Sequence, residues 1–291
     1  MAMRPPLARK RKLPAALSVN RLLPNILTLL ALCAGLTAVR YGLQDRFEAA
    51  VMAIIVAGIL DGLDGRLARR LGSTSRFGAE LDSLSDFISF GVAPAILIYM
   101  WTMNSAGSIG WALVLLFPVC SALRLARFNT GLDAEAPPPG WMAGFFTGVP
   151  APAGAVLVLL PMMLSFDTGE SGSEFFAHPV LVGLVMAAVS ALMVSRIPTY
   201  SFKRMRIPAG YVLPVMVLVC GAAAILVTAP WHAFPVLALF YAATFPFSMR
   251  AAMRAKRAAA NDDVTNGASD EPLPAQTDEA RDPGADRSGA V

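Results

Sequence analysis

Four aspartates, Asp61, Asp64, Asp82 and Asp86, fall within the stretch DGLDGRLARRLGSTSRFGAELDSLSD, directly beside long apolar runs. Asp61 and Asp64 are three residues apart and Asp82 and Asp86 four apart, so each pair lies on one face of its own helix. Ionisable groups at membrane depth mark functional sites. Two such faces make a cage of oxygen ligands suited to hard divalent cations, Mg²⁺ or Mn²⁺. Without cations the four carboxylates would repel one another, whereas two bound ions could clamp a diphosphate. Gly62, Gly65 and Gly78 remove side chains where a nucleotide or a neighbouring helix can approach, Ala68 keeps the same surface low, and Arg69 adds a cation for phosphate. Small residues also serve close packing in membrane helices. It is their combination with four aspartates that carries the reading.

These residues need a scaffold, and composition says which kind. The chain has 291 residues, 56% of them apolar and only 15% charged, with a mean hydropathy of +0.57. That is too apolar for an ordinary soluble domain and reads as an all-α, polytopic membrane helix bundle. Nothing in it points to nucleic acid. Apolar segments run over 22–39, 49–60, 87–103, 109–123, 142–164, 180–194, 211–227 and 231–249, which predicts about eight membrane helices. The second is too short unless it continues through Asp61, so the acidic stretch must line a polar, protein-walled cavity where the second and third helices meet. Cys33, Cys120 and Cys220 lie in apolar runs without metal or redox spacing and read as core residues. His178 and His232 read as parts of short connections, which argues against a histidine nucleophile.

Three regions follow: a basic arm over 1–21, a transmembrane catalytic domain over 22–250, and a largely disordered tail over 251–291, rich in Asp, Glu, Ala, Pro and Gly from about Ala258. The basic start MAMRPPLARKRKL precedes an apolar segment without an obvious processing site, so the first helix is expected to remain as an anchor. With the amino terminus inside and eight spans, all 24 Lys and Arg residues except Arg40 and Arg46 fall on the cytoplasmic side. Both termini and the aspartate cage are then expected at the cytoplasmic face of the cell (inner) membrane. Arg9 to Lys12 could bind anionic headgroups or act only as a topology signal.

Asp61, Asp64, Gly65, Ala68, Arg69, Gly78, Asp82 and Asp86 fill every position of D-x2-D-G-x2-A-R-x8-G-x3-D-x3-D, and by this the chain resembles the CDP-alcohol phosphatidyltransferase family. The resemblance implies a core of six membrane helices, a homodimer, and transfer of a phosphatidyl group from a CDP-linked lipid to an alcohol with release of CMP. A narrower resemblance rests on PNILT, LDSLSDFISFGVAPA, SALRLARFN, FTGVPAP and SRIPTYSFKRMRIP, which look like the membrane-embedded phosphatidylserine synthases within that family. It implies CDP-diacylglycerol and L-serine as substrates in a bed of membrane lipids.

By resemblance, Asp61, Asp64 and Asp82 hold the metals, and Asp86 completes the site and acts as general base on the acceptor hydroxyl. Asn25, Asp61, Gly65, Ala68, Arg69 and Gly78 bind the CDP-lipid, although Asn25 beside Pro24 reads equally as a helix-start signal. Ser83 and Ser85 read as packing residues. For the serine carboxylate the candidates are Arg124, Arg127 and Asn129, since two arginines three apart can grip it bidentately or merely mark the membrane boundary. Arg196, Lys203, Arg204 and Arg206 form a second basic cluster with a topological or lipid-binding reading. The aspartates do not specify the alcohol, so choline, glycerol phosphate and inositol phosphate remain rival acceptors. A cation transporter is the rival from another class, but it has no need of the glycine, alanine and arginine framework.

Overall fold

A computed structural model describes residues 19–132, 145–195, 198–200 and 212–269. The basic arm over Arg9 to Lys12 and the cluster of Arg196, Lys203, Arg204 and Arg206 lie outside the described residues. Helix α1 (Val19–Gly42) and helix α2 (Phe47–Leu71) are joined by a short turn in which Asp45 takes a left-handed φ of 56°, a conformation that the short side chain of aspartate tolerates. Ala38, Ala50, Val51, Ile54 and Ala57 are buried. Small side chains let the two backbones approach and make this helical hairpin the base of the bundle.

The connection to the next helix is closely specified. Gly72 ends α2 at φ 57°, with its N–H on the Arg69 carbonyl and the N–H of Ser73 on the Ala68 carbonyl. This is a Schellman motif, in which glycine avoids the steric cost of the left-handed residue. Three residues later Ser75 caps helix α3 (Arg76–Asp86), its hydroxyl accepting the Gly78 N–H at 3.0 Å.

From Asp86 the helix does not stop. It runs through a π-helical turn (Phe87–Val92) into α4 (Ala93–Trp101), and the N–H of Ala93 reaches the carbonyl of Ile88, five residues back. Pro94 has no N–H to give to Phe90, so the ordinary four-residue ladder cannot pass this point. The turn is wedged between two helices. A Cβ on Gly35 of α1 would stand 2.4 Å from Ser89 Oγ and 2.8 Å from Ser89 Cα, and one on Gly91 would stand 3.0 Å from Ser121 Oγ. Ser121 belongs to α5 (Gly107–Leu132), which follows a 3₁₀ turn over Met103–Ala106.

Beyond α5 lie β1 (Phe145–Thr147), α6 (Ala151–Val158), α7 (Leu160–Ser165), α8 (Glu170–Phe176), α9 (Pro179–Val194), β2 (Pro198–Tyr200), α10 (Val212–Thr228) and α11 (Pro230–Ser269). The all-α expectation holds for the bundle, to which one short strand pair is added. β1 pairs antiparallel with β2, Phe145 opposite Tyr200 and Thr147 opposite Pro198. Pro150 biases Val149 to extended backbone, and Gly148, at φ 75°, sits where a Cβ would be 3.0 Å from the carbonyl oxygens of Met193 and Ser195. Among the described residues of the fifth apolar segment, 145–150 are therefore not helical and helix begins at Ala151.

His178 caps α9, its Nδ1 accepting the Val180 N–H. His232 lies in the first turn of α11, not in a connection, and pairs with Asp167. The backbone of α11 continues to Ser269, through an alanine-rich stretch of high helix propensity. Each of the eight apolar segments contains helix. Among the described residues, Leu22–Gly42, Arg76–Trp101 and Met103–Thr130 are long and apolar enough to cross a membrane, and Pro179–Val194 and Pro214–Thr228 are shorter apolar helices.

The glycine contacts are testable. Gly35→Val should destabilise the protein by about 1–3 kcal/mol, because the new side chain meets the backbone of the π-turn. Gly221→Ala, in open space on α10, should leave stability unchanged or slightly raised. Thermal unfolding midpoints in detergent check this, and equal midpoints for both variants would refute the wedge.

Candidate active site

The cap and turn between α2 and α3 return the chain on itself, so that the two aspartate pairs meet. One carboxylate oxygen from each of Asp61, Asp64 and Asp82 lies within 4.8 Å of the other two. Asp86, one turn beyond Asp82, shares a side-chain hydrogen bond with Asp61. Asp64 is the deepest, at 4% exposure, and the other three are half-buried.

Helix α1 supplies the support. Thr28 Oγ1 donates to Asp64 Oδ2 at 2.6 Å and lies 3.1 Å from the Pro24 carbonyl oxygen. Ser85 of α3 donates to the Thr28 carbonyl oxygen at 3.1 Å, which ties the three helices at one point. A carboxylate fixed in this way keeps its free oxygen aimed, as outer partners do for metal ligands.

Among the described residues no guanidinium or ammonium stands within ion-pair distance of the four carboxylates. Arg124 of α5, half-buried, interacts electrostatically with Asp86 and with Tyr241 of α11, and its Nε is buried without a hydrogen-bond partner. The donor set is all oxygen and crowded. Ligands about 2.1 Å from a Mg²⁺ ion stand no more than about 4.2 Å apart, so the three carboxylates fit a hard divalent cation with a small closure. The metal expectation is met to that extent.

The candidate nucleotide residues gather at the rim. A Cβ on Gly78 would stand 3.0 Å from Asn25 Oδ1, which puts Asn25 against α3 one turn before Thr28 on α1. Gly78 itself precedes Asp82 by one turn. On α2, Gly65 and Ala68 follow Asp61 and Asp64 along one face, and Arg69 curls back so that its Nη1 is 3.6 Å from the Cβ position of Gly65.

The acceptor candidates divide. Arg124 faces the cluster, whereas Arg127 is exposed and donates from Nη1 to the Val194 carbonyl oxygen at 2.9 Å, at the end of α9. Asn129 donates to Ser83 Oγ at 3.0 Å, beside Asp82. Ser83 and Ser85 thus serve helix packing. Sequence reasoning assigned no role to Thr28 or Tyr241. Thr28 had a signal, lying three residues after Asn25 in PNILT, but Tyr241 is one aromatic in an apolar run and had none.

Comparison with known proteins gives the family. The family model of the CDP-alcohol phosphatidyltransferases matches residues 21–194, and that of CDP-alcohol phosphatidyltransferase 2 matches residues 210–246. A Mycobacterium leprae protein named CDP-diacylglycerol–serine O-phosphatidyltransferase is 43% identical over 231 residues, covering 79% of this chain and 75% of that one. Proteins of the same name from Helicobacter pylori and Bacillus subtilis are 38% and 33% identical, covering 64% and 62% of this chain and 74% and 92% of their own. With its aspartates brought together on α2 and α3, this membrane protein belongs to the CDP-alcohol phosphatidyltransferase family.

Proposed function

We propose that the protein transfers the phosphatidyl group of CDP-diacylglycerol to the hydroxyl of L-serine, giving phosphatidylserine and CMP. The observation that carries the reaction class is the convergence of Asp61, Asp64 and Asp82 with Asp86 alongside. Serine as acceptor is supported by the names of the relatives.

Asp61, Asp64 and Asp82 would hold Mg²⁺ or Mn²⁺, two ions in all with Asp86, which when bound neutralise the diphosphate and stabilise the departing CMP. Asp86 takes the proton from the serine hydroxyl. The serine oxygen forms a bond to phosphorus as the bond from phosphorus to the CMP oxygen breaks, in line and without a covalent enzyme intermediate. Asn25, Gly65, Ala68, Arg69 and Gly78 bind the CDP moiety, with the two glycines and the alanine leaving room and Arg69 meeting phosphate. Arg124 holds the serine carboxylate. It is better placed than Arg127, whose guanidinium is engaged at the end of α9, and Asn129 contributes by fixing Ser83 next to Asp82.

Eight spans including a six-helix core, both termini and the aspartates at the cytoplasmic face of the inner membrane, a largely disordered cytoplasmic tail over 251–291 and a homodimer complete the proposal. The distribution of Lys and Arg supports the orientation.

Purified protein with CDP-diacylglycerol should release CMP when given L-serine, lose this on chelation and regain it with Mg²⁺ or Mn²⁺. Release with choline, glycerol 3-phosphate or inositol phosphate but not with L-serine would overturn the acceptor. Asp86→Asn should lower kcat by about 10²–10⁴-fold with CDP-lipid affinity largely kept, whereas Asp61→Asn and Asp82→Asn should weaken metal and nucleotide binding too. Steady-state kinetics and equilibrium CDP-lipid binding separate these outcomes, and full turnover in Asp86→Asn would remove it as base. Arg124→Ala should raise the KM for serine at least about tenfold, the scale of a lost charge-assisted contact, and Arg127→Ala much less; the reverse order would exchange their roles.

A further inference from the structure

One hydrogen bond to the aspartates comes from a residue that carries no charge and belongs to neither aspartate helix. Thr28 of α1 donates from Oγ1 to Asp64 Oδ2 at 2.6 Å. Among the described residues it is the only side chain outside the cluster that hydrogen-bonds any of the four carboxylates. Both residues are only 4% exposed, so water does not stand in for the hydroxyl.

That hydroxyl has one proton and two acceptors within reach. The Pro24 carbonyl oxygen lies at 3.1 Å, where a threonine can bond back to its own helix. Asp64 Oδ2 is nearer, at a length typical of a hydroxyl donating to a carboxylate. The proton therefore goes to Asp64, and the Pro24 carbonyl keeps the backbone N–H of Thr28 as its helical partner. The backbone beneath the hydroxyl is held in turn. Ser85 Oγ donates to the Thr28 carbonyl oxygen at 3.1 Å, and Ser85 lies on α3 between Asp82 and Asp86. One residue of α1 thus grips α2 by its side chain and α3 by its backbone, the two helices whose carboxylates converge.

We propose that Thr28 is a positioning residue of the metal site: its hydroxyl occupies one oxygen of Asp64, leaves the other to meet a cation with Asp61 and Asp82, and so sets the affinity for that cation. This rests on the reading of the three aspartates as metal ligands. A carboxylate free to turn loses side-chain freedom when it ligates, whereas one already fixed does not. A small divalent ion that demands near-ideal geometry feels the difference most. Position 28 therefore needs a donor and not merely a β-branched shape. Valine would fill much the same space and leave Asp64 Oδ2 without that partner.

The test separates the hydrogen bond from packing. Mn²⁺ is titrated into the purified protein in detergent with no substrate present, and free ion is followed by electron paramagnetic resonance. Thr28→Ser, which keeps the donor, should bind Mn²⁺ almost as tightly as the unmodified protein. Thr28→Val, which keeps the shape, should bind about 10–100-fold more weakly, the scale of a lost outer partner of a metal ligand. At saturating Mn²⁺ the KM values of Thr28→Val for CDP-diacylglycerol and L-serine should return close to those of the unmodified protein. Unchanged Mn²⁺ affinity in Thr28→Val would overturn the proposal, and so would equal weakening by serine and valine, which would make packing the cause. A KM for the CDP-lipid that stays raised at saturating Mn²⁺ would make Thr28 a substrate contact instead. If Thr28→Val gives no cooperative thermal transition, Thr28→Ala removes the same donor without added bulk and is read by the same titration. Mn²⁺ binding by the unmodified protein without CMP release from any acceptor would remove the proposed reaction and leave the role of Thr28 standing, whereas no Mn²⁺ binding would overturn both.

Discussion

Mutual repulsion among four carboxylates is the constraint around which the rest of the molecule is arranged. Charges of one sign do not gather inside a helical bundle unless something holds them there, because the low polarity of the surroundings strengthens repulsion and withholds solvation. Here the restraint is covalent and conformational. The left-handed Gly72 closes α2, Ser75 opens α3, and the few residues between them leave the second helix no choice but to lie beside the first. Thr28 and Ser85 then bind α1 to both helices at the depth of Asp64. The charge imbalance is the binding energy in waiting: divalent cations and a diphosphate between them cancel it.

Close approach of helices is the second requirement, and it is met with small residues where the structure is densest. Alanines on α1 and α2, Gly35 on α1 against the π-turn and Gly91 within that turn bring the backbone of the third span into contact with both neighbours. Serines supply the hydrogen bonds at these contacts, as in Ser89 to the Ala31 carbonyl oxygen. In a membrane such packing substitutes for the water-driven association of soluble helices. It leaves the aspartate site on a stiff frame, while α5 supplies Arg124 from farther along the chain.

How much of this could be read in the residue order depends on the range of the interaction. The pairing of aspartates, the turn between them and the small residues that flank them are local, set by helical period and by glycine and serine at helix ends, so their convergence was legible. Thr28 on Asp64 joins residues 36 apart, and Tyr241 beside Arg124 joins α11 to α5; neither has a spacing rule. Arg124 and Arg127 looked equivalent because three residues along a helix share a face, but one turned to the carboxylates and the other to the end of α9. The β1–β2 pairing was hidden for a different reason. Apolar residues flanked by prolines satisfy a hydropathy window as well as helix does, and only the missing donors of Pro150 and Pro198 mark the difference.

The π-turn after Asp86 has a consequence for the span that contains it. A helix is a rigid screw, so the direction of any side chain normally dictates the direction of every other one along its length. One extra residue in a turn, carried without breaking the axis, works as a phase joint: it uncouples the angular setting of Asp82 and Asp86 from that of Ala95, Leu97 and Ile98. The two ends of the span are therefore set at angles to each other that an unbroken α-helix would not give them.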